Sequence, residues 1–149
     1  MAIDREAALA LELPPLEAEV ERGALRFFAR ATGEERPEYV DVAAARAAGF
    51  RDLPVPPTYY FSLELQAADP FAFLTDLEVD LRRVLHGEQW FEYAGQACAG
   101  DRLTLHSRVV DVVTKRAGME LLTKHTSVTD PSGALVSRLG SVLVIRGES

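Results

Sequence analysis

The segment LHGEQWFEYAGQACAGDRLTLHSRVVDVVTK, residues 85–115, decides how the chain must be read. Its two arms, HGEQWFEYAGQ and DRLTLHSRVVDVVTK, are rich in aromatic and β-branched residues and partly alternate apolar with polar, the signature of strands with one buried face. Between them AGQACAGD supplies the small residues of a connection. Leu103, Leu105 and Val109 fall on one face of the second arm, with Val110 and Val112 expected opposite.

The same texture continues toward the C-terminus. MELLTKHTSVT and ALVSRLGSVLVI are two further β-type runs, set off by the turn signals KRAG and DPSG. Leu135, Leu139 and Leu143 should share a face, with Val136, Val142 and Val144 opposite. A meander of about four antiparallel strands is expected. Toward the N-terminus the period changes. Val20, Ala24, Phe27 and Ala31 recur at helical spacing, and Gly33 is placed to end that helix. Asp41 can cap a short helix, VAAARAA, which Gly49 closes. LPVPPTYYFSLEL pairs a proline-rich entry with an apolar run, so a buried helix is expected after Pro57. The fold class is α+β, an antiparallel sheet with helices on one side, in a single domain over residues 1–149.

Composition excludes several functions. The formal net charge is −7, against the basic balance that phosphate backbones demand, so no nucleic-acid partner is expected. No apolar run approaches the roughly 18 residues that span a bilayer, and the N-terminus lacks a basic signal-peptide region. We expect a cytoplasmic protein without a membrane partner. The lone Cys98 gives no disulfide framework and no metal cluster.

Four blocks in fixed order carry a resemblance: VERGALRFFARATGEERPEYVDVAAARAAGF, VPPTYY, LHGEQWFEYAGQACAGDRLTLHSRVVDV and TDPSGALVSRLGSVLVIRG. The chain resembles the MaoC-like dehydratase N-terminal domain of the FAS1-like dehydratase group. That resemblance implies a hot-dog fold, with about five antiparallel strands wrapped around a long central helix. It also implies dimers, acyl thioesters of coenzyme A or acyl carrier protein as ligands, and no cofactor. The implied chemistry is reversible hydration of a trans-2-enoyl thioester to the (R)-3-hydroxy product.

The catalytic branch carries G-D-x-N-P-[apolar]-H, whose Asp and His do acid–base work on water and the α-carbon. Here Gly33 and Pro37 match that pattern, while Glu34 stands for Asp, Arg36 for Asn and Tyr39 for His. Glu reaches one methylene further, and a misplacement of about 1 Å can cost about a hundredfold. Tyr ordinarily titrates near pH ~10 and is a poor base at neutrality. The family's His-Gly at the start of the central helix, which offers an N–H to the thioester carbonyl, is Pro56-Pro57 here, and proline has no N–H. A slip of one residue would bring in Thr58.

The resemblance is therefore to the module that has lost its dyad and shapes the acyl tunnel. As the sequence stops at Ser149, a separate catalytic subunit is the expected source of Asp and His. The competing readings are a hot-dog acyl-CoA thioesterase using a lone Glu34 or Glu64, and a non-catalytic acyl-thioester binding protein.

Other candidates carry less. His86 could pair with Glu88 two residues on, or simply bond backbone at a turn. Pro57, Thr58 and Tyr59 are candidate substrate contacts at the helix start. Arg82 and Arg83 are candidates for coenzyme A or phosphopantetheine phosphates. His106 and His125 fit no metal spacing. Apolar residues on both strand faces imply at least a homodimer, or a heterodimer with a catalytic MaoC-like subunit, paired edge to edge.

Overall fold

A computed structural model describes residues 2–148. Five strands form one antiparallel sheet: β1 (Leu16–Glu19), β2 (Val84–Tyr93), β3 (Arg102–Thr114), β4 (Glu120–Thr129) and β5 (Leu135–Ile145). Their order is β1-β3-β4-β5-β2. The expected four-strand meander is thus corrected. Only β3-β4-β5 run as consecutive hairpins, and β2 pairs with β5 at the far edge. The AGQACAGD connection is no hairpin. It carries the chain from β2 across to β3, bridged at Cys98 to Pro54.

Helices cover one face of the sheet: α1 (Arg5–Ala10), α2 (Arg22–Thr32), α3 (Val42–Ala47), α4 (Tyr59–Glu64) and α5 (Ala72–Asp76). Capping follows the sequence. Gly33 takes the left-handed conformation (φ 71°) that ends α2, and the Asp41 carboxylate accepts the N–H groups of Ala43 and Ala44 at the start of α3. The helix after Pro57 is present, but the long central helix implied by the resemblance is not. After Glu64 the chain turns through Asp69-Pro70 before α5. Proline within a helix would remove a hydrogen bond and clash with the preceding turn, so two short helices replace one long one.

The core lies between these helices and the sheet. One cluster gathers Leu25, Leu53, Tyr60, Leu63, Leu103, Leu105 and Leu139, and a second gathers Ala8, Leu74, Val109, Val112, Leu122 and Ile145. Burying each large side chain contributes about 1.5–3 kcal/mol.

Three expectations about faces fail, two of them at register shifts in the ladder. The ladder shifts between Val109 and Asp111, and this bulge brings Val112 onto the buried face beside Val109. Another shift near Val136 buries that residue while Leu135 stays half-buried. On α2 the buried positions are Leu25 and Ala29, while Phe27 is 71% exposed.

The outer face is also less apolar than expected. Val113, Leu121, Val144 and Leu85 make one apolar row across the strands. Further along, Arg108, His125, Gly140 and Trp90 form another row, then His106, Ser127, Arg138 and Glu92.

Candidate functional site

The turn after α2 carries Glu34, Arg36 and Tyr39. Gly33 reverses the chain, Glu34 N–H donates to Ala29 O (2.9 Å), and a 3-10 turn runs Pro37–Tyr39. Within it Glu34 is tied up. Its carboxylate accepts Arg36 Nε (3.1 Å), Arg36 Nη2 (3.0 Å) and the Arg36 backbone N–H (3.0 Å). The Arg36 guanidinium also lies 4.9 Å from the Tyr39 ring centre. These hydrogen bonds hold the Glu34 carboxyl at a pKa of about 2. The arrangement is a closed surface ion pair capped by a ring, chemically unlike a base aimed at a substrate.

The start of α4 is structural as well. Pro57 O accepts a hydrogen bond from Tyr93 Oη (2.8 Å), tying α4 to the end of β2. Tyr59 is buried, edge-on to Phe28 with ring centres 5.2 Å apart. Thr58 is exposed and begins the helix without a side-chain cap. Neighbouring Tyr60 is pushed up to a pKa of about 12 by desolvation.

The candidate phosphate ligands are engaged elsewhere. Arg82 pairs with Asp80 at 2.7 Å. Arg83 donates to Arg146 O (2.7 Å) and meets Glu148 at 3.3 Å. Around Arg83 stand Asp4, Asp76, Glu78 and Asp80, a setting that repels phosphate. Cys98 is buried, with its N–H donated to Asp101 (3.0 Å).

His86 does not pair with the Glu88 side chain. A bulge at Gly87 flips the alternation, so His86 faces inward and Glu88 outward. His86 Nε2 instead lies 3.1 Å from the Glu88 carbonyl, and its ring packs edge-on to Phe61 at 5.1 Å. That position puts His86 at a cavity of about 300 Å³ between α4, α5 and the sheet. Phe61, Phe73, Leu74, Val84 and Leu143 give it an apolar wall.

Besides His86 and Ser141, the cavity holds two charged groups from distant parts of the chain. Lys124 Nζ on β4 donates to Glu64 Oε2 on α4 at 2.7 Å, with the two side chains only 11% and 8% exposed. Lys124 also lies 5.3 Å from the Phe73 ring centre. Sequence reasoning raised Glu64 but missed Lys124, since nothing local joins positions 60 apart. A second buried acid, Glu120, accepts the Ile3 N–H (3.0 and 3.1 Å) and clasps the N-terminal segment to the sheet. Among the described residues no His, Cys, Asp and Glu cluster could hold a metal ion. No described helix is long and apolar enough to cross a membrane.

A family model for the "FAS1-like, dehydratase domain region" matches residues 7–139. The chain belongs to this dehydratase family. Its relatives include a Streptomyces griseus protein described as a UPF0336 protein, 40% identical over 147 residues and covering 98% of this chain and 97% of that one. Among solved structures, a MaoC-like dehydratase superposes with a TM-score of 0.79 at 26% identity, over 95% of this chain and 43% of that one. The C-terminally truncated HadBC (3R-hydroxyacyl-ACP dehydratase) complex of Mycobacterium tuberculosis matches at TM-score 0.72 and 22% identity, over 89% and 92% of the two chains. The fold of this FAS1-like dehydratase domain is therefore the hot-dog fold of the MaoC-like dehydratases. Glu34 and Tyr39 both close on Arg36, the first as its ion-pair partner and the second as a ring against its guanidinium.

Proposed function

We propose that this chain is the non-catalytic subunit of an (R)-specific enoyl-thioester hydratase, or 3-hydroxyacyl-thioester dehydratase. It supplies the fold, the interface and the walls of the acyl cavity, and a MaoC-like partner supplies the Asp and His. The observation that carries this reading is the Glu34–Arg36 clamp. A carboxylate held near a pKa of about 2 by three hydrogen bonds accepts a proton poorly at neutral pH. Proline at positions 56 and 57 removes the N–H groups that would polarise a thioester carbonyl.

What remains suits acyl binding: an apolar cavity with a few convergent polar groups. Exposed apolar side chains stand around it, with Leu65 46%, Phe71 42% and Leu81 46% exposed, while Leu85, 51% exposed, lies on the outer face of edge strand β2. A partner sheet paired along β2 would cover the edge and this apolar rim. Similarity to the HadBC dehydratase complex supports a two-chain assembly. The thioesterase alternative is weaker, because Glu34 and Glu64 are both paired with cations.

The test uses crotonyl-CoA hydration. The chain alone should turn over negligibly. Mixed with a MaoC-like subunit of the same genome carrying G-D-x-N-P-x-H, it should form an active complex, and Glu34→Ala should leave that activity unchanged. Robust hydration by the lone chain, abolished by Glu34→Ala, would overturn the proposal.

A further inference from the structure

The apolar cavity does not end at a wall of hydrocarbon. Behind it lies a second cavity of about 130 Å³, reached past the N-terminal segment at Leu13, Pro14 and Leu16. The two cavities share four lining residues: Glu64, Pro70, Phe73 and Lys124. The partition between them is thus the buried ion pair with the Phe73 ring near the ammonium and Pro70 alongside.

Such a partition discriminates. A hydrocarbon tail filling the outer cavity gains about fourfold in affinity for each methylene it buries. To go further it must part Glu64 from Lys124, leaving two charges desolvated and uncompensated, which no alkyl group can repay. Each partner has lost most of its contact with water, so neither can swing out cheaply.

We propose that the Glu64–Lys124 pair, backed by Phe73, is the septum that sets the chain-length limit of this subunit. It restricts the ligand to acyl thioesters whose tails fit the outer cavity alone. This inference rests on the acyl-binding role proposed above. Its consequence is specific: removing the septum should join the two cavities and admit longer tails, with no change at the thioester end.

The experiment measures dissociation constants by calorimetry for butanoyl-, octanoyl-, dodecanoyl- and hexadecanoyl-CoA, with free coenzyme A as control. The wild-type chain should bind more tightly as the tail lengthens, then level off or weaken within the series. In Glu64→Ala/Lys124→Ala the rise should continue to longer tails, by tenfold or more at the length where the wild type levels off. The charge-swapped Glu64→Lys/Lys124→Glu should keep the wild-type limit. Phe73→Leu is the second variant should the double alanine fail to fold, and it should relax the limit in the same direction.

A wild-type affinity that climbs to hexadecanoyl-CoA without levelling off overturns the septum, as does a wild-type limit in folded Glu64→Ala/Lys124→Ala or, where that fails to fold, in Phe73→Leu. Failure of every acyl-CoA to bind more tightly than free coenzyme A overturns the acyl-binding role itself, and the septum with it.

Discussion

Replacing Lys124 by methionine should be among the most damaging single changes available, while replacing both members of its pair should cost little. At 2.7 Å and an effective dielectric of about 20, the Glu64–Lys124 attraction is about 6 kcal/mol gross. Desolvation offsets most of that, because both side chains are nearly withdrawn from water. In Lys124→Met the Glu64 charge stays buried without its partner, and the expected loss is about 3–5 kcal/mol. Glu64→Leu strands the ammonium and should lose a similar amount. In Glu64→Leu/Lys124→Met both penalties vanish together, so the double variant should lie within about 1–2 kcal/mol of the parent. Urea unfolding with a common m-value measures all four proteins. If Lys124→Met lies within 1 kcal/mol of the parent, or the two single losses simply add in the double variant, the pair is not buried in the way described here.

Gly140→Ala should destabilise the sheet by about 1–3 kcal/mol, since the added Cβ would stand 2.2 Å from the Trp90 ring and displace it; thermal unfolding tests this, and an unchanged midpoint would count against the packing. Asp52 is lowered from 3.8 to a pKa of about 2, chiefly by its hydrogen bond from Arg22, so the stability it lends is complete above about pH 4 and is lost as pH falls through about 2. Arg22→Gln should accordingly be less stable than the parent at neutral pH, with the gap closing on acidification; a gap independent of pH would refute the linkage. Ala117→Asn should stabilise the β3–β4 turn by roughly 0.5–1 kcal/mol, because Ala117 (φ 57°) precedes Gly118 (φ 70°) and Asn-Gly suits two successive left-handed positions; a lower unfolding midpoint would contradict this.

Much of the architecture was legible because it is written locally. Apolar alternation located four strands, Gly33 and Asp41 marked helix boundaries through their capping chemistry, and the proline-rich entry placed α4. Bulges were not legible. One extra residue at Gly87 or Val110 reverses inside and outside for the rest of the strand, and strict period-two counting carries the error forward. That is why Val112 was expected outside and why His86 was matched with Glu88. The strand order was hidden for a different reason: two β runs joined by a small-residue loop look like a hairpin, and only tertiary packing sends β2 to the other edge. At the site, the turn at Glu34 and Tyr39 was found through family resemblance, but its closure by Arg36 depended on side-chain geometry. Lys124 was invisible because it looks like an ordinary exposed strand lysine until α4 brings Glu64 against it.

Trp90 is the one tryptophan of the sequence, and its place on the outer face of edge strand β2, with its ring edge-on to His125 at 5.1 Å, makes it a built-in optical probe. The cavity walled by Phe61, Phe73 and Leu143, proposed above to take the acyl tail, lies on the opposite face of the same sheet. Emission from this indole should therefore respond when another sheet docks along β2, yet stay nearly silent as a tail fills the cavity. A fluorescence titration and a calorimetric one, run on the same unlabelled sample, would report two separate events, and the order in which they occur would reveal whether assembly precedes ligand capture.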